Sequence, residues 1–390
     1  MSEQVEQDTY AAWTERAAKE LKGKPLDSLN WVSSGGLQLK PYYSAEEQKR
    51  RYPVLNTRTQ NEWDVFEAIE VHTAKEANLQ AHRALAGGAT GLQFVWDNAL
   101  PEEIPQLLAG IELPFIQSGF CIPLNAYIPF AESLAKWIAI QGYVPSSCKG
   151  YLTILIKEFN SGPELSKTLE AWILAQNEAH KRLPGYRSRV IDGALFGNAG
   201  LAAHQELGLI LAWYQLALEQ GNPNQEWQVN LSFGPEFYTE LCKFRIIAHL
   251  CSLVGEKYGS DYLPYLFGSA SDVCLNDQDR YTNLLRLSTS AMSAVMGGAN
   301  GLLLKNFSHH PDDAKEFVAR ITRNCQLVLQ HESKIGKAQD PASGAYFFEE
   351  MSFQLAGQAW DSFLGINKEG GLLNYLRSDA FAEIKGGTGR

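Results

Sequence analysis

No apolar run of about 18 residues occurs in this 390-residue chain, so no transmembrane helix is expected. Cations are in the minority: 34 Lys and Arg stand against 44 Asp and Glu, a net charge of −10. A nucleic-acid binder needs clustered Lys and Arg to neutralise phosphates, so that class is excluded. The short run Lys49-Arg50-Arg51 sits beside Glu46, Glu47 and Gln48 and reads as solvated surface. Among the six cysteines there is no Cys-x-x-Cys pair, which argues against a zinc ribbon or a thioredoxin-type site. Their spread points to a reducing, cytoplasmic setting. Met1–Gln7 lacks the basic start and apolar stretch of a signal peptide. Gly-x-Gly-x-x-Gly, Gly-Lys-Ser/Thr and Gly-x-Ser-x-Gly are all missing, so neither a phosphate-cradling loop nor a nucleophile elbow is expected.

What is present is an ordinary globular composition, 45% hydrophobic and 20% charged. Residues 8–52 read as an extended arm, with helical spacing from Trp13 to Leu21 and Gly23 as a stop. Trp13, Trp31, Tyr42 and Tyr43 are too apolar to stay in water, so the arm must pack on this domain or on a partner. Beyond residue 75, short apolar strands alternate with amphipathic helices. Strands are predicted over Gly91–Trp96, Ser118–Leu124, Tyr151–Ile156, Arg189–Ala194, Trp227–Phe233, Asp272–Leu275, Gly301–Leu304 and Ile335–Ala338. Eight such units over about 250 residues fit a closed (β/α)8 TIM barrel, with an open doubly wound sheet as the alternative. After 345 the chain reads as helical again, ending in a Gly-rich tail.

Few residues announce chemistry. His309 and His310, with Asp312 and Asp313, form the one tight cluster of metal-ligand types, but Pro311 makes it a helix start; no metal site is expected. Glu102-Glu103 and Glu349-Glu350 read as solvated pairs. Asp97, Asn125 and Asn230 lie at or near the C-terminal ends of predicted strands, where barrel enzymes place their sites, although turn and cap roles account for them equally well. Gln205 and Arg286 complete the candidate pocket set. His204-Gln205-Glu206 opens a helix, so N-terminal electrostatics is the simpler reading there.

Three stretches resemble the methylmalonyl-CoA mutase family. They are Tyr10-Ala11-Ala12-Trp13 through Lys40-Pro41-Tyr42-Tyr43, then Asn283 to Asn300 with its Ala291-Met292-Ser293-Ala294-Val295-Met296-Gly297-Gly298 core, then Asp340-Pro341-Ala342-Ser343-Gly344-Ala345-Tyr346-Phe347-Phe348-Glu349. The resemblance implies a (β/α)8 barrel whose active members bind a CoA thioester along the axis. Those members use adenosylcobalamin, held by a separate domain, to interconvert methylmalonyl-CoA and succinyl-CoA. In bacteria a large catalytic chain often pairs with a small non-catalytic one. The implied division is an arm over 1–52 that wraps a partner, a barrel over 53–345, and a helical segment with a tail over 346–390, without a cobalamin-binding domain.

The chain departs from the active pattern at the reacting positions. Where active members carry a substrate-touching Arg and Tyr, this sequence has Phe66 and Ala68. A Gln position aligns with Thr153, a thioester-gripping His with Leu195, and a His near a later strand with Leu303. None of the eight His lies in the Asp-x-His-x-x-Gly pattern that supplies the cobalamin's lower ligand. The expectation is therefore a non-catalytic small subunit that stabilises a large catalytic subunit as a heterodimer. It binds no cofactor of its own, adenosylcobalamin belongs to the holoenzyme, and Trp13, Trp31, Tyr42 and Tyr43 face the partner. The alternative is an acyl-CoA-binding isomerase that works with a cobalamin domain on another chain.

Overall fold

The computed structural model describes residues 10–45, 50–156, 161–223, 225–276, 279–310 and 313–386. Met1–Gln7, Glu46–Lys49, Pro311, Asp312 and the tail Gly387–Arg390 therefore lie outside the described residues. One parallel sheet organises the chain. Its strands are β1 (Asp64–Glu70), β2 (Gly91–Val95), β3 (Gln117–Ile122), β4 (Gly150–Ile154), β5 (Tyr186–Arg187 and Arg189–Asp192), β6 (Trp227–Phe233), β7 (Tyr265–Ala270) and β8 (Gly301–Leu303). β8 pairs with β1 through Gly301 and Asp64. The first piece of β5 pairs with β4 and the second with β6, so the ring closes through one interrupted strand.

Helices follow the strands in turn: α1 (Ala74–Ala86), α2 (Ile104–Leu107), α3 (Tyr127–Ile140), α4 (Gly162–Arg182), α5 (Ala203–Gln220), α6 (Phe237–Glu256), α7 (Arg280–Met296) and α8 (Lys315–Leu327). A long helix α9 (Tyr346–Lys368) packs outside α5 and α6. This is the (β/α)8 barrel expected from the strand–helix alternation. None of the helices among the described residues is long and apolar enough to cross a membrane.

The strand assignments shift by one element. β1 occupies the stretch read as preceding the first strand, whereas Ile335–Lys337 is a 3-10 turn rather than an eighth strand. The ring is already full at β8, so no edge is left for residues 335–338 to join. β1 escapes an apolar-run reading because Asp64, Glu67 and Glu70 interrupt it. The predicted strand at 272–275 is likewise a 3-10 turn, Asp272–Cys274, just past β7.

The arm divides into two parts. A two-residue hairpin pairs Trp31–Val32 with Gln38–Leu39, and Leu37 and Leu39 are buried against the barrel. The Ser34 N–H donates to Glu236 Oε1 at 3.3 Å. The helix Tyr10–Glu20 has no buried residue; its Trp13 stacks on Tyr42 at 5.0 Å between ring centroids. Trp31 meets Tyr238 edge-on at 6.4 Å yet stays 39% exposed. Tyr43 lies edge-on to Phe347 at 6.3 Å.

The third resemblance stretch builds a buried ion network. Arg245 of α6 donates from Nε to Asp340 Oδ1 at 2.7 Å, from Nη2 to Glu349 Oε1 at 3.0 Å and from Nη1 to Ser352 Oγ at 2.7 Å. Glu349 also accepts the backbone N–H groups of Tyr52 and Gly344. Glu349 is thus buried, not solvated: the helix face that carries it packs on α6.

Candidate functional site

Side chains alternate along a strand, and in-register partners share a face. The inward face of the barrel can therefore be followed from strand to strand. It carries Asp64, Phe66, Ala68 and Glu70 on β1, Gly91, Gln93 and Val95 on β2, Gln117, Gly119 and Cys121 on β3, and Tyr151 and Thr153 on β4. Asn230 and Ser232 on β6, Phe267 and Ser269 on β7, and Gly301 and Leu303 on β8 continue it. On β5, Arg187 pairs with inward Tyr151, while Val190 and Asp192 pair with inward Gln228 and Asn230. One extra residue, Ser188, restores the inward phase after Arg187, as a β-bulge does. Most barrels fill this space with branched aliphatics. Here the upper part is small and polar.

The lower half of the lumen is plugged. Phe66, Tyr151 and Phe267 meet on the axis, with centroids 5.0 Å apart for Phe66–Phe267, 5.5 Å for Tyr151–Phe267 and 6.1 Å for Phe66–Tyr151. Gly91 makes room for this wedge, since a Cβ there would lie 2.8 Å from the Phe66 ring. Gly119 does the same for Tyr151. Beneath the wedge, the Arg187 guanidinium lies 3.9 Å over the Tyr265 ring and donates to Gln228 Oε1 and Gln117 Oε1, both at 3.0 Å. The Tyr265 hydroxyl donates to Asp64 Oδ2 at 2.6 Å. Burial raises the Asp64 carboxyl, and the Tyr265 hydrogen bond opposes that rise.

The upper half is open. Ala68 points inward from the middle of β1 yet is exposed, as is Glu70 above it. Thr153 is 2% exposed and its Oγ1 has no hydrogen-bond partner. Asn230 accepts from Gln228 Nε2 at 2.7 Å and holds Asp192 by a hydrogen bond. Burial pushes the Asp192 carboxyl up to about 6, against that bond and one from the Ala194 N–H. Burial also raises the Cys121 thiol, with Asp192 and Glu70 adding to the effect, so no thiolate nucleophile forms there.

At the rim, Lys243 of α6 is held by Glu206 Oε2 at 2.9 Å and Glu240 Oε2 at 2.7 Å. Burial pulls its ammonium down, but the two carboxylates outweigh burial and keep it charged. The Ser232 N–H and hydroxyl both donate to Glu206.

The structure places Ala68, Thr153 and Leu303 on the inward face and Leu195 on a short helix, Ala194–Asn198, after β5. Asn230 also faces inward. Asp97 and Asn125 are exposed in the segments after β2 and β3. Gln205 accepts the Ala202 N–H at 3.0 Å and so caps α5. Arg286 lies on α7, outside the ring. The sequence reading missed Gln93, in the middle of β2, and Asp192, the last residue of β5, whose predicted strand ran on to Ala194; the inward face that carries both follows only from register between strands.

Asp192 also sets a pH test. Its folded pKa is raised above the ordinary 3.8, so its contribution favours folding below that value and is lost as pH rises through about 6. Asp192→Asn is expected to be more stable than the parent by about 1 kcal/mol at pH 8. A full two-unit shift would give roughly 3 kcal/mol, and solvent in the open mouth screens part of it. Urea melts at pH 8 and pH 3.5 check this; the gain should vanish at the lower pH.

No inward-facing position among the described residues is a histidine, so the barrel offers no imidazole to serve as an axial ligand or to grip a thioester oxygen. The donor set therefore does not fit a cobalamin held by the barrel wall itself.

Comparison with known proteins gives this barrel relatives. The methylmalonyl-CoA mutase family model matches residues 154–384. The methylmalonyl-CoA mutase small subunit of Porphyromonas gingivalis is 26% identical over 92% of this chain and 63% of its own length. The methylmalonyl-CoA mutase of Rhizobium meliloti is 27% identical over 93% of this chain and 59% of its own. For the mitochondrial methylmalonyl-CoA mutase of Bos taurus the figures are 26%, 94% and 56%. The chain spans about three-fifths of the length of such relatives. With the family match covering more than half of its residues, the chain belongs to the methylmalonyl-CoA mutase family.

Proposed function

We propose that this chain is the non-catalytic small subunit of a methylmalonyl-CoA mutase and stabilises a larger catalytic subunit. The observation that carries the reading is the blocked axis. A CoA thioester lying along the barrel would have to pass the Phe66–Tyr151–Phe267 wedge and the Arg187–Tyr265–Asp64 layer beneath it. Interactions stronger in the transition state than in the ground state accelerate a reaction. At the positions aligned with reacting groups, Ala68, Leu195 and Leu303 supply no hydrogen-bond donor. Adenosylcobalamin and the radical it generates would belong to the large subunit.

The arm of residues 1–52 supports a partner. Its helix carries Tyr10 and Trp13, which cluster with Tyr42, and has no buried residue of its own. Phe115, 83% exposed, and Ile140, 80% exposed, precede the adjacent strands β3 and β4 and add unpartnered apolar surface. Size-exclusion chromatography with the large subunit is expected to give a stable 1:1 complex. Trp13→Ala with Tyr42→Ala should weaken it at least tenfold, because anchoring aromatics at interfaces contribute about 2 kcal/mol or more. Separate elution of the two chains, or isomerisation of methylmalonyl-CoA by this chain alone with added adenosylcobalamin, would overturn the proposal.

A further inference from the structure

We propose that the cleft between the end of the arm and the N-terminal face of the barrel binds a free α-amino acid with an aliphatic side chain. The proposal goes beyond the subunit reading and does not rest on it. The cleft measures about 360 Å³, within the range of small-molecule sites. It lies where residues 51–57 cross the start of β7 and the end of α7, and all of its lining residues are described. The crossing segment is tied down at both ends. The Tyr52 N–H donates to Glu349 Oε2 at 2.8 Å, and the Thr57 hydroxyl donates to Asn300 Oδ1 at 2.8 Å.

Two opposite charges stand on its wall, both open to water. Arg51, from the run Lys49-Arg50-Arg51, lines the cleft and is exposed, whereas its neighbour Arg50 lies 4.4 Å over the Phe353 ring. Asp340 lines it too, with 18% of its side chain exposed. Arg245 holds that carboxylate in place, Nε to Oδ1 at 2.7 Å and Nη2 to Oδ2 at 3.0 Å. Asp340 takes a φ of +46°, in the left-handed region that few residues other than glycine adopt, and backbone of this kind clusters at ligand sites. The Ser343 N–H donates to the Asp340 carbonyl at 3.0 Å, which closes a β-turn whose end Cα atoms lie within about 7 Å. A Cβ on the next residue, Gly344, would stand 3.8 Å from Arg51 Nη2. One turn thus has the two charges at its two ends.

An α-amino acid carries an ammonium and a carboxylate on one carbon, the pair such a turn can clasp. The carboxylate pairs with Arg51, whose planar fork of donors matches it. The ammonium pairs with Asp340 and with the C-terminal end of α7, which stops in the cleft at Gly297 and Gly298. A helix of 17 residues presents partial negative charge there and favours cations. Arg58 answers part of that end from beneath, donating to the Val295 and Ala299 carbonyls at 3.3 and 3.2 Å. Gly298 leaves room above, since a Cβ on it would meet nothing within 4 Å. The aliphatic chain lies on half-buried Val54 and Leu55. A fatty acid or a simple amine would engage one charge and leave the other to water.

Leucine, isocaproate and isopentylamine share one side chain and differ in charge. Titration of the full chain at pH 7.5, followed by calorimetry and saturation-transfer NMR, should show saturable leucine binding with Kd of about 1 mM or tighter, within reach of a ligand of about nine heavy atoms. Isocaproate, which lacks the ammonium, and isopentylamine, which lacks the carboxylate, should each bind at least about tenfold more weakly, the factor expected for losing one charge-assisted contact. Glycine, with both charges and no side chain to bury, should also lose at least about tenfold. Arg51→Gln should weaken leucine by about tenfold and leave isopentylamine unchanged, and Arg51→Lys should restore part of the loss. Arg51 is exposed, so neither variant threatens the fold, and circular dichroism with melting temperature checks this. No saturable leucine signal, isocaproate or isopentylamine binding as tightly as leucine, or unaltered leucine affinity in Arg51→Gln would each overturn the proposal. None of these results depends on whether a large subunit binds, so the two readings fail separately.

Discussion

Arg245→Ala is expected to destabilise the protein by about 3–5 kcal/mol, the usual cost of removing one partner from a buried ion pair. Arg245 and Glu349 are both 1% exposed, so the substitution strands a carboxylate with no water to take over. Two backbone N–H groups, from Tyr52 and Gly344, still donate to Glu349, but they do not neutralise it. The loss should therefore spread to the end of the arm and to the turn around Asp340, both tied to this network. Urea denaturation gives the number. Arg245→Met combined with Glu349→Gln should cost less than Arg245→Met alone, because the stranded charge is gone. A double variant as unstable as the sum of its parts would show that packing, not charge, dominates here.

A comparable loss of about 3–5 kcal/mol is expected for Phe66→Ala, the range for truncating a buried aromatic. Phe66 is 2% exposed, and its ring meets Phe267 at nearly a right angle, 89°. Edge-to-face pairs contribute about 1 kcal/mol beyond area burial. A cycle of Phe66→Ala, Phe267→Ala and the double variant should therefore show coupling of about that size. Additive losses would mean that the rings fill space independently and do not act as one wedge.

Different features of the sequence made different parts of this structure legible. Apolar outward residues such as Leu92 and Phe94, or Val229 and Leu231, marked strands because they pack on the helix layer in any barrel. Gly297-Gly298 ends α7, and Gly298 takes a φ of +108° that other residues avoid. β1 was not readable as a strand, since Asp64, Glu67 and Glu70 break the apolar run. Glu349 read as solvated because its neighbour Glu350 is equally charged; only the packing of α9 on α6 distinguishes the two.

The chain's own residues determined the barrel class and the family, because alternation, helix stops and local motifs are written in consecutive residues. Which side chains meet on the axis was decided only by closure of the sheet. Phe66, Tyr151 and Phe267 are far apart in the chain, and so are Glu70, Thr153 and Asp192. Register around a closed ring, together with one bulge at Ser188, brings the first three into a plug and the others onto the inward face of the same ring.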